Sequence, residues 1–509
     1  AYGGHGHKDD LSIIAWAYDD FVITDTGRYN YTWSDPINIE LLSSQNHNTL
    51  GRITDLKANK VYMQEPSSEK DKSKINSWAS SDDFDYFSGN TKEGLYTTDG
   101  SAMKTGYNRK ILFVKPDYWI VSDLVEDRSP QGKADQKYDI MFHLKPENNH
   151  TIDNESKVVQ TDFEAAPNVR LLSPDEDVTV SREQGIYCPT NGSYSTTDRI
   201  VFSKTKPAAE KTTFDTVVFP SRTGDTTSTA SVERIAMEVP TSVASAMHIT
   251  RNSSGRMFDD YYYYSNETAF ADGKTLQERN FGDFTYDGEA VFVSYDAKGM
   301  VDSIQVVNGK NLTKNGKPVV EMEKPLADLS ISFENATMNV SSSVQKLEEL
   351  GDITIDAGRV IEKVLFNGKA IGFSQNGDNI ALGTNHFVIE PSGSEIVLPQ
   401  LNGGGGFEYN GETYAVLVQI PEGTKLKPID NWNGRFYIKV ESARDGENIA
   451  GRVMIQTEDG RPLEFITPIS VHVQGHASAK VAMVIDGREV PQTKSVSSND
   501  PTKVSLSPR

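Results

Sequence analysis

The 509-residue chain is short of several things. It has a single cysteine, Cys188, so no intramolecular disulfide framework can brace it. No run of apolar residues is long enough to span a bilayer as a helix. A basic surplus is missing too: 51 Lys and Arg against 72 Asp and Glu leave a formal charge of −21. That balance argues against nucleic acid as a partner, because phosphate binding needs a basic surface. An anionic ligand held in a locally positive cleft stays compatible with it. The opening Ala1-Tyr2-Gly3-Gly4 has neither the basic nor the apolar part of a secretory signal, as a mature or excised product would. Sustained helical periodicity is absent apart from a short turn over Ser343 to Leu350.

What is present reads as strand. Leu11 to Tyr18, a turn at Asp19-Asp20 and Phe21 to Thr24 make one hairpin. Ile111 to Val114, Lys115-Pro116-Asp117 and Tyr118 to Val121 make another, with proline at the first corner. Short apolar runs follow at Tyr138 to Leu144, Arg199 to Ser203, Phe214 to Phe219 and Ala290 to Tyr295. This texture predicts an all-β protein: a large antiparallel β-sandwich over 1–320 and a smaller β-sheet domain over 321–400. A C-terminal β module follows over 401–509. Asn402 and the four glycines after it read as a linker, since glycine is costly to hold in a regular element.

Chemistry concentrates in the first fifty residues. His5-Gly6-His7 is followed by Asp9, by Asp25-Thr26-Gly27-Arg28-Tyr29 and by His47-Asn48-Thr49. Any one of these histidines is as readily a surface hydrogen-bonding residue. Three of the chain's nine beside an Asp-x-Gly turn are also what a three-ligand metal site looks like before folding. His5 and His7, two apart on an extended segment, point to the same side, and Asp9 is placed to orient a ligand imidazole. Elsewhere, Tyr261 to Tyr264 is either a sugar-stacking platform or an ordinary packed strand; in a strand only half of them share a face.

The order His5-Gly6-His7-Lys8-Asp9-Asp10-Leu11-Ser12, Asp25-Thr26-Gly27-Arg28-Tyr29 and His47-Asn48-Thr49 resembles the HxHxDxLS, DxGxY and HNT segments of heparinase II/III-type polysaccharide lyases. Arg109 to Asp123, RKILFVKPDYWIVSD, is similar to that family's strand pair, and Phe142-His143-Leu144 to a later strand. The resemblance runs in order over residues 4 to 145, and nothing in 400–509 shares it. It implies His7, Asp25 and His47 as ligands of a structural zinc and His5 as a catalytic histidine. Tyr29 is the second catalytic candidate, although packing is the commoner role for such a tyrosine. His143 is read as structural.

The activity implied is β-elimination on a uronic-acid-containing polysaccharide by a secreted, cell-surface or periplasmic bacterial protein. Family members carry an N-terminal α/α toroid ahead of this sandwich. This chain starts almost at the HxHxD segment, so the toroid half of the same precursor is expected as an associated partner. The rival reading is a non-catalytic carbohydrate-binding or cell-surface scaffold that keeps the zinc for folding only.

Overall fold

Strands with alternating apolar and polar residues bury one side by stacking sheet on sheet. A computed structural model of the chain describes residues 7–32, 34–63, 73–91, 105–127, 135–146, 149–207, 209–267, 276–382, 386–389, 396–409, 411–442, 449–467, 469–474, 479–485, 488–496 and 502–505. The architecture is all-β, with large antiparallel sheets. Among the described residues helix is confined to Pro36–Leu41, a 3-10 turn at Ser44–Asn46, and Leu347–Leu350. The chain divides into two compact units, Ala1–Asn266 and Glu267–Arg509. Position 320 falls inside the strand Lys317–Glu334.

In the first unit an eight-stranded sheet faces a five-stranded one. The larger sheet runs in the order His150–Asp153, Val158–Thr161, Asn168–Leu172, Lys211–Ser221, Tyr118–Asp127, Thr105–Val114, Phe84–Thr91, Ser73–Ser80. The smaller runs Thr179–Thr190, Ser193–Lys206, Gln136–His143, Leu50–Asp55, Lys60–Tyr62. Between them lies a core that includes Tyr107, Val121, Val125, Ile140, Phe142, Ile200 and Phe202. A meander of Thr229–Ile235, Ala244–Ser253 and Arg256–Ser265 supplies further partners for the larger sheet. Tyr118 donates to Asp260 (2.7 Å) and Tyr264 to Asp215 (3.0 Å). Tyr262, Tyr263 and Tyr264 are therefore buried packing residues and form no open platform for sugars.

Both expected hairpins form, with their corners shifted. In the first, Trp16 pairs with Phe21 and Ala17 with Asp20, so the turn is Tyr18-Asp19, both at positive φ. In the second, Asp117 N donates to Val114 O (2.8 Å), which puts Pro116 at the second corner and not the first. Its bond to Lys115 is cis.

The second unit is again mostly antiparallel. Its long hairpin pairs Val301–Lys314 with Lys317–Glu334. Farther on, Leu401–Tyr409 and Glu412–Ile420 pack against Arg435–Ser442 and Ile449–Thr457 around Val416, Val418, Phe436, Ile438 and Ile455. The glycine run is no linker. Gly403 and Gly404 pair with Ser374 and Phe373 on one side, and the whole run pairs with Glu412–Ile420 on the other. A Cβ at Gly404 would stand 2.1 Å from Val416 O, and one at Gly406 would stand 2.5 Å from Ala370 Cβ. Glycine here buys close approach of neighbouring chains, which outweighs its entropic cost.

Candidate metal centre

Three segments with little ladder of their own converge at one end of the sandwich. Asp25 lies two residues past the strand Asp20–Ile23, in a turn completed by a glycine at positive φ. Gly27 has φ +75, and a Cβ there would stand 2.2 Å from Cys188 O. The turn is tied down by Cys188 N donating to Thr26 O (2.8 Å) and Thr26 Oγ1 donating to Asn46 O (2.7 Å). Between this turn and His47 lies the helix Pro36–Leu41, capped by Asp35, whose carboxylate accepts from Ile37 N (2.9 Å). Asp before Pro is a strong helix-start pair.

His47 is fully buried. Its Nδ1 stands 2.9 Å from Asp25 Oδ2, and its Nε2 stands 3.3 Å from His7 Nδ1. Gly27 N donates to the other Asp25 oxygen (2.8 Å). The donor atoms of His7, Asp9 and His47 all lie within 4.8 Å of one another. The structure therefore gathers His7, Asp25 and His47. Asp25 stands on the ring nitrogen of His47 that faces away from His7, where a carboxylate orients a ligand imidazole. Asp9, expected in that orienting role, lies with the imidazoles instead.

The donor set fits a zinc ion. Two nitrogens bound to one tetrahedral zinc at about 2.0–2.1 Å stand about 3.3 Å apart, the separation found for His7 and His47. His5 lies outside the described residues. Tyr29 is half-buried; its carbonyl accepts from Gly192 N (2.7 Å) and its ring meets Tyr194 edge-on at 5.5 Å. Tyr31 is exposed, with the Arg28 guanidinium 4.4 Å over its ring.

The rest of each motif is scaffolding. Asn48 stitches four segments: its N–H donates to Ser12 Oγ (3.0 Å), its Nδ2 to Ile13 O and Thr24 O (2.7 and 2.9 Å), and its Oδ1 accepts from His143 N (2.7 Å). Thr49 Oγ1 donates to Asp10 O (2.7 Å). Arg109 is fully buried and paired with Asp123 through Nε and Nη2 (2.6 and 2.9 Å). Its Nη1 donates to Leu11 O (2.8 Å) and Asn48 O (2.5 Å), fastening the two imidazole-bearing segments to the sheet. A second clamp holds the turn before His47: Arg199 donates to Gln45 O and Asn46 Oδ1 and pairs with Glu183 (2.8 Å), which also takes Arg52 (2.6 Å).

Reading residue types along the sequence singles out none of these clamps. A register argument reaches the first, because pairing Val114 with Tyr118 puts Arg109 directly opposite Asp123.

Electrostatics follow burial. Desolvation and the neighbouring His47 hold His7 below the ordinary imidazole value, with Asp9 and Asp25 partly offsetting them. Burial raises Asp25, but the hydrogen bond and charge of His47, the Gly27 N–H and His7 outweigh it, so its carboxyl is lowered. His143 is lowered to about 3 by burial, then by Arg199 and His47. It is neutral, with Nδ1 3.0 Å from Asn48 Oδ1.

This arrangement coincides with a family match. Residues 1–229 fit the model of the heparinase II/III-like, C-terminal family, which supports a heparinase II/III-like C-terminal domain over that part of the chain. The chain is also similar to the crystal structure of heparan sulfate lyase HepC from Pedobacter heparinus, at 17% identity and TM-score 0.41, covering 52% of this chain and 38% of that one. A heparinase III structure is similar at 16% identity and TM-score 0.40, covering 51% and 36%. The chain thus spans less than two fifths of the length of these structures. No curated protein matches it.

Proposed function

We propose that residues 1–229 are the sandwich portion of a polysaccharide lyase that cleaves a uronic-acid-containing glycan by β-elimination. The reading rests on one observation above all: His7, Asp25 and His47, drawn from three separate motif segments, meet at van der Waals and hydrogen-bond range. In this reading His7 and His47 hold a zinc together with a carboxylate, Asp25 from the motif or Asp9 from the geometry. A bound zinc supplies fixed positive charge and locks the segment that carries His5 in place.

In the elimination a base removes the proton beside the uronate carboxyl. The electron pair forms the ring double bond, the C4–O bond breaks, and an acid protonates the leaving oxygen. His5 serves as base or as a donor that neutralises the carboxylate, and Tyr29 is the candidate acid. The remaining groups come from an N-terminal α/α toroid half, the proposed partner, in a secreted, cell-surface or periplasmic setting.

The edge contact of Tyr29 with Tyr194 favours a packing role for that tyrosine. It supports the second reading, a carbohydrate-binding scaffold without turnover. The discriminating experiment follows the ultraviolet absorbance of unsaturated uronate on heparin, heparan, chondroitin, hyaluronan and alginate, with and without the toroid half. Turnover that the His5→Ala substitution abolishes sustains the lyase reading. No turnover on any glycan with both halves present sinks it. Metal analysis of the purified chain, together with Asp9→Ala and Asp25→Ala, tests the zinc and decides which carboxylate it needs.

A further inference from the structure

The sheet face that carries Arg109 and Asp123 extends past the segments that cover it. Its side chains form rows two residues apart, about 7 Å. The row of Gly89, Arg109 and Asp123 lies under Leu11 and Asn48. Next comes the row of Trp78, Phe87 and Ile111, and beyond it Asp85, Phe113 and Trp119. In these two rows Phe87, Ile111, Phe113 and Trp119 are half-buried and Trp78 is 65% exposed. Together with Leu11 to Ile13 along one edge they enclose a cleft of ≈ 320 Å³.

The rings in the cleft are set as walls. Phe113 and Trp119 lie nearly parallel, 4.6 Å apart, and Trp78 meets Phe87 at 76°. At the rim, the Asp85 carboxylate takes the Ser80 hydroxyl (2.6 Å) and the Lys115 ammonium (2.8 Å).

We propose that this cleft is a subsite for an acidic oligosaccharide, with a pyranose ring lying on the aromatic walls. The inference rests on the reading of this unit as part of a glycan-acting protein, and it assigns residues that reading does not use. Three features select a glycan over a protein partner. The volume falls in the range of small-ligand pockets, whereas a stable protein contact needs a patch of about 800 Å² on each side. Flat aromatic faces suit the C–H side of a pyranose, whose hydroxyls then point to the rim. There Asp85 accepts from hydroxyls, and Lys115 beside it, whose Nζ pairs with Asp85 and donates to Ser81 O (2.7 Å), keeps one N–H for a uronate carboxylate. Leu11 to Ile13, along the edge of the cleft, is the onward run of the segment holding His7 and Asp9.

The test titrates the full chain with uronate tetrasaccharides prepared from heparan sulfate, chondroitin and alginate, and with neutral cellotetraose, reading tryptophan fluorescence and heat of binding. Trp78→Ala removes one wall from an exposed position and should weaken tetrasaccharide binding roughly tenfold, with metal content and melting temperature unchanged. Lys115→Met should erase the preference for uronate over cellotetraose. Equal binding by wild type and Trp78→Ala overturns the proposal. So does a dimer in light scattering that Trp78→Ala converts to monomer, which would mark the cleft as a self-association face. Binding is read without turnover, so loss of the lyase reading alone leaves this result intact. Turnover with Trp78-independent binding defeats only the subsite.

Discussion

Across the strand pair Thr105–Val114 and Tyr118–Asp127, the row holding Arg109 and Asp123 is buried and polar. Four residues along, on the same face, the row holding Phe113 and Trp119 is apolar and only partly covered. The usual expectation is the reverse, with polar residues outside and aromatics inside. The difference lies in what each row meets. Leu11 and Asn48 arrive in segments without a ladder, so their carbonyls need donors once buried. Arg109 supplies those donors and Asp123 neutralises it. Phe113 and Trp119 meet no such carbonyls; they stack on each other, and Trp119 also packs against the sandwich core.

The harshest way to break this contrast is at the polar row. Arg109→Met leaves Asp123 buried without a counter-charge and strands two carbonyls, so the expected loss is about 3–5 kcal/mol in urea unfolding. Adding Asp123→Leu should restore part of it, because the paired removal leaves no orphan charge. Zinc affinity should stay weakened in the double variant, since the tether to Leu11 and Asn48 is gone. A double variant with wild-type zinc affinity would show that Arg109 stabilises the fold without positioning the centre.

A gentler break separates the two carboxylates. Asp25→Asn removes the charge behind His47 and should lower zinc affinity by about 10–100-fold, as loss of an orienting carboxylate does. Competition with a chromophoric chelator measures it. If Asp9→Asn costs much more than Asp25→Asn, Asp9 is the direct ligand and the two acidic residues have exchanged their expected parts.

Burial of His143, on the facing sheet, also sets an acid limit. His143 titrates near 6.5 when unfolded and at about 3 when folded. A depressed folded value means the stabilising contribution is present above pH 6.5 and is lost as the pH falls toward about 3. The slope is about 1.4 kcal/mol per unit, so about 2 kcal/mol goes between pH 6.5 and 5. Urea unfolding at pH 7 and pH 5 should show His143→Gln losing less than the wild type over that interval. Equal losses would mean that His143 becomes protonated in the folded state.

Much of this was legible before folding, and the misses share a cause. Strands were readable wherever alternation or an apolar run persisted, as in Tyr138 to Leu144. The glycines at 403–406 were misread because what decides their conformation is the approach of Val416 and Ala370, residues far from the run in the pattern of composition. The helix Pro36–Leu41 is announced in the sequence by Asp35-Pro36 alone, because six residues are too few for a period to show. Within the centre, the family resemblance named His7, Asp25 and His47. Which nitrogen faces which carboxylate is a matter of geometry, and Arg109 with Asp123 emerges only when the hairpin is registered residue by residue.

The smallest expected effect falls on the open row and tests the contrast from its other side. Trp78 is 65% exposed and meets Phe87 only edge-on, at 6.3 Å between ring centroids. Removing it leaves no cavity and strands no polar group, so Trp78→Ala should shift unfolding free energy by no more than about 0.5 kcal/mol. Thermal and urea unfolding both measure this. A much larger loss would mean that the ring is already buried by another surface in solution, and the row would then belong to the core. A negligible loss leaves a large aromatic side chain whose presence the fold does not require, and its contribution must then be sought in what the cleft binds.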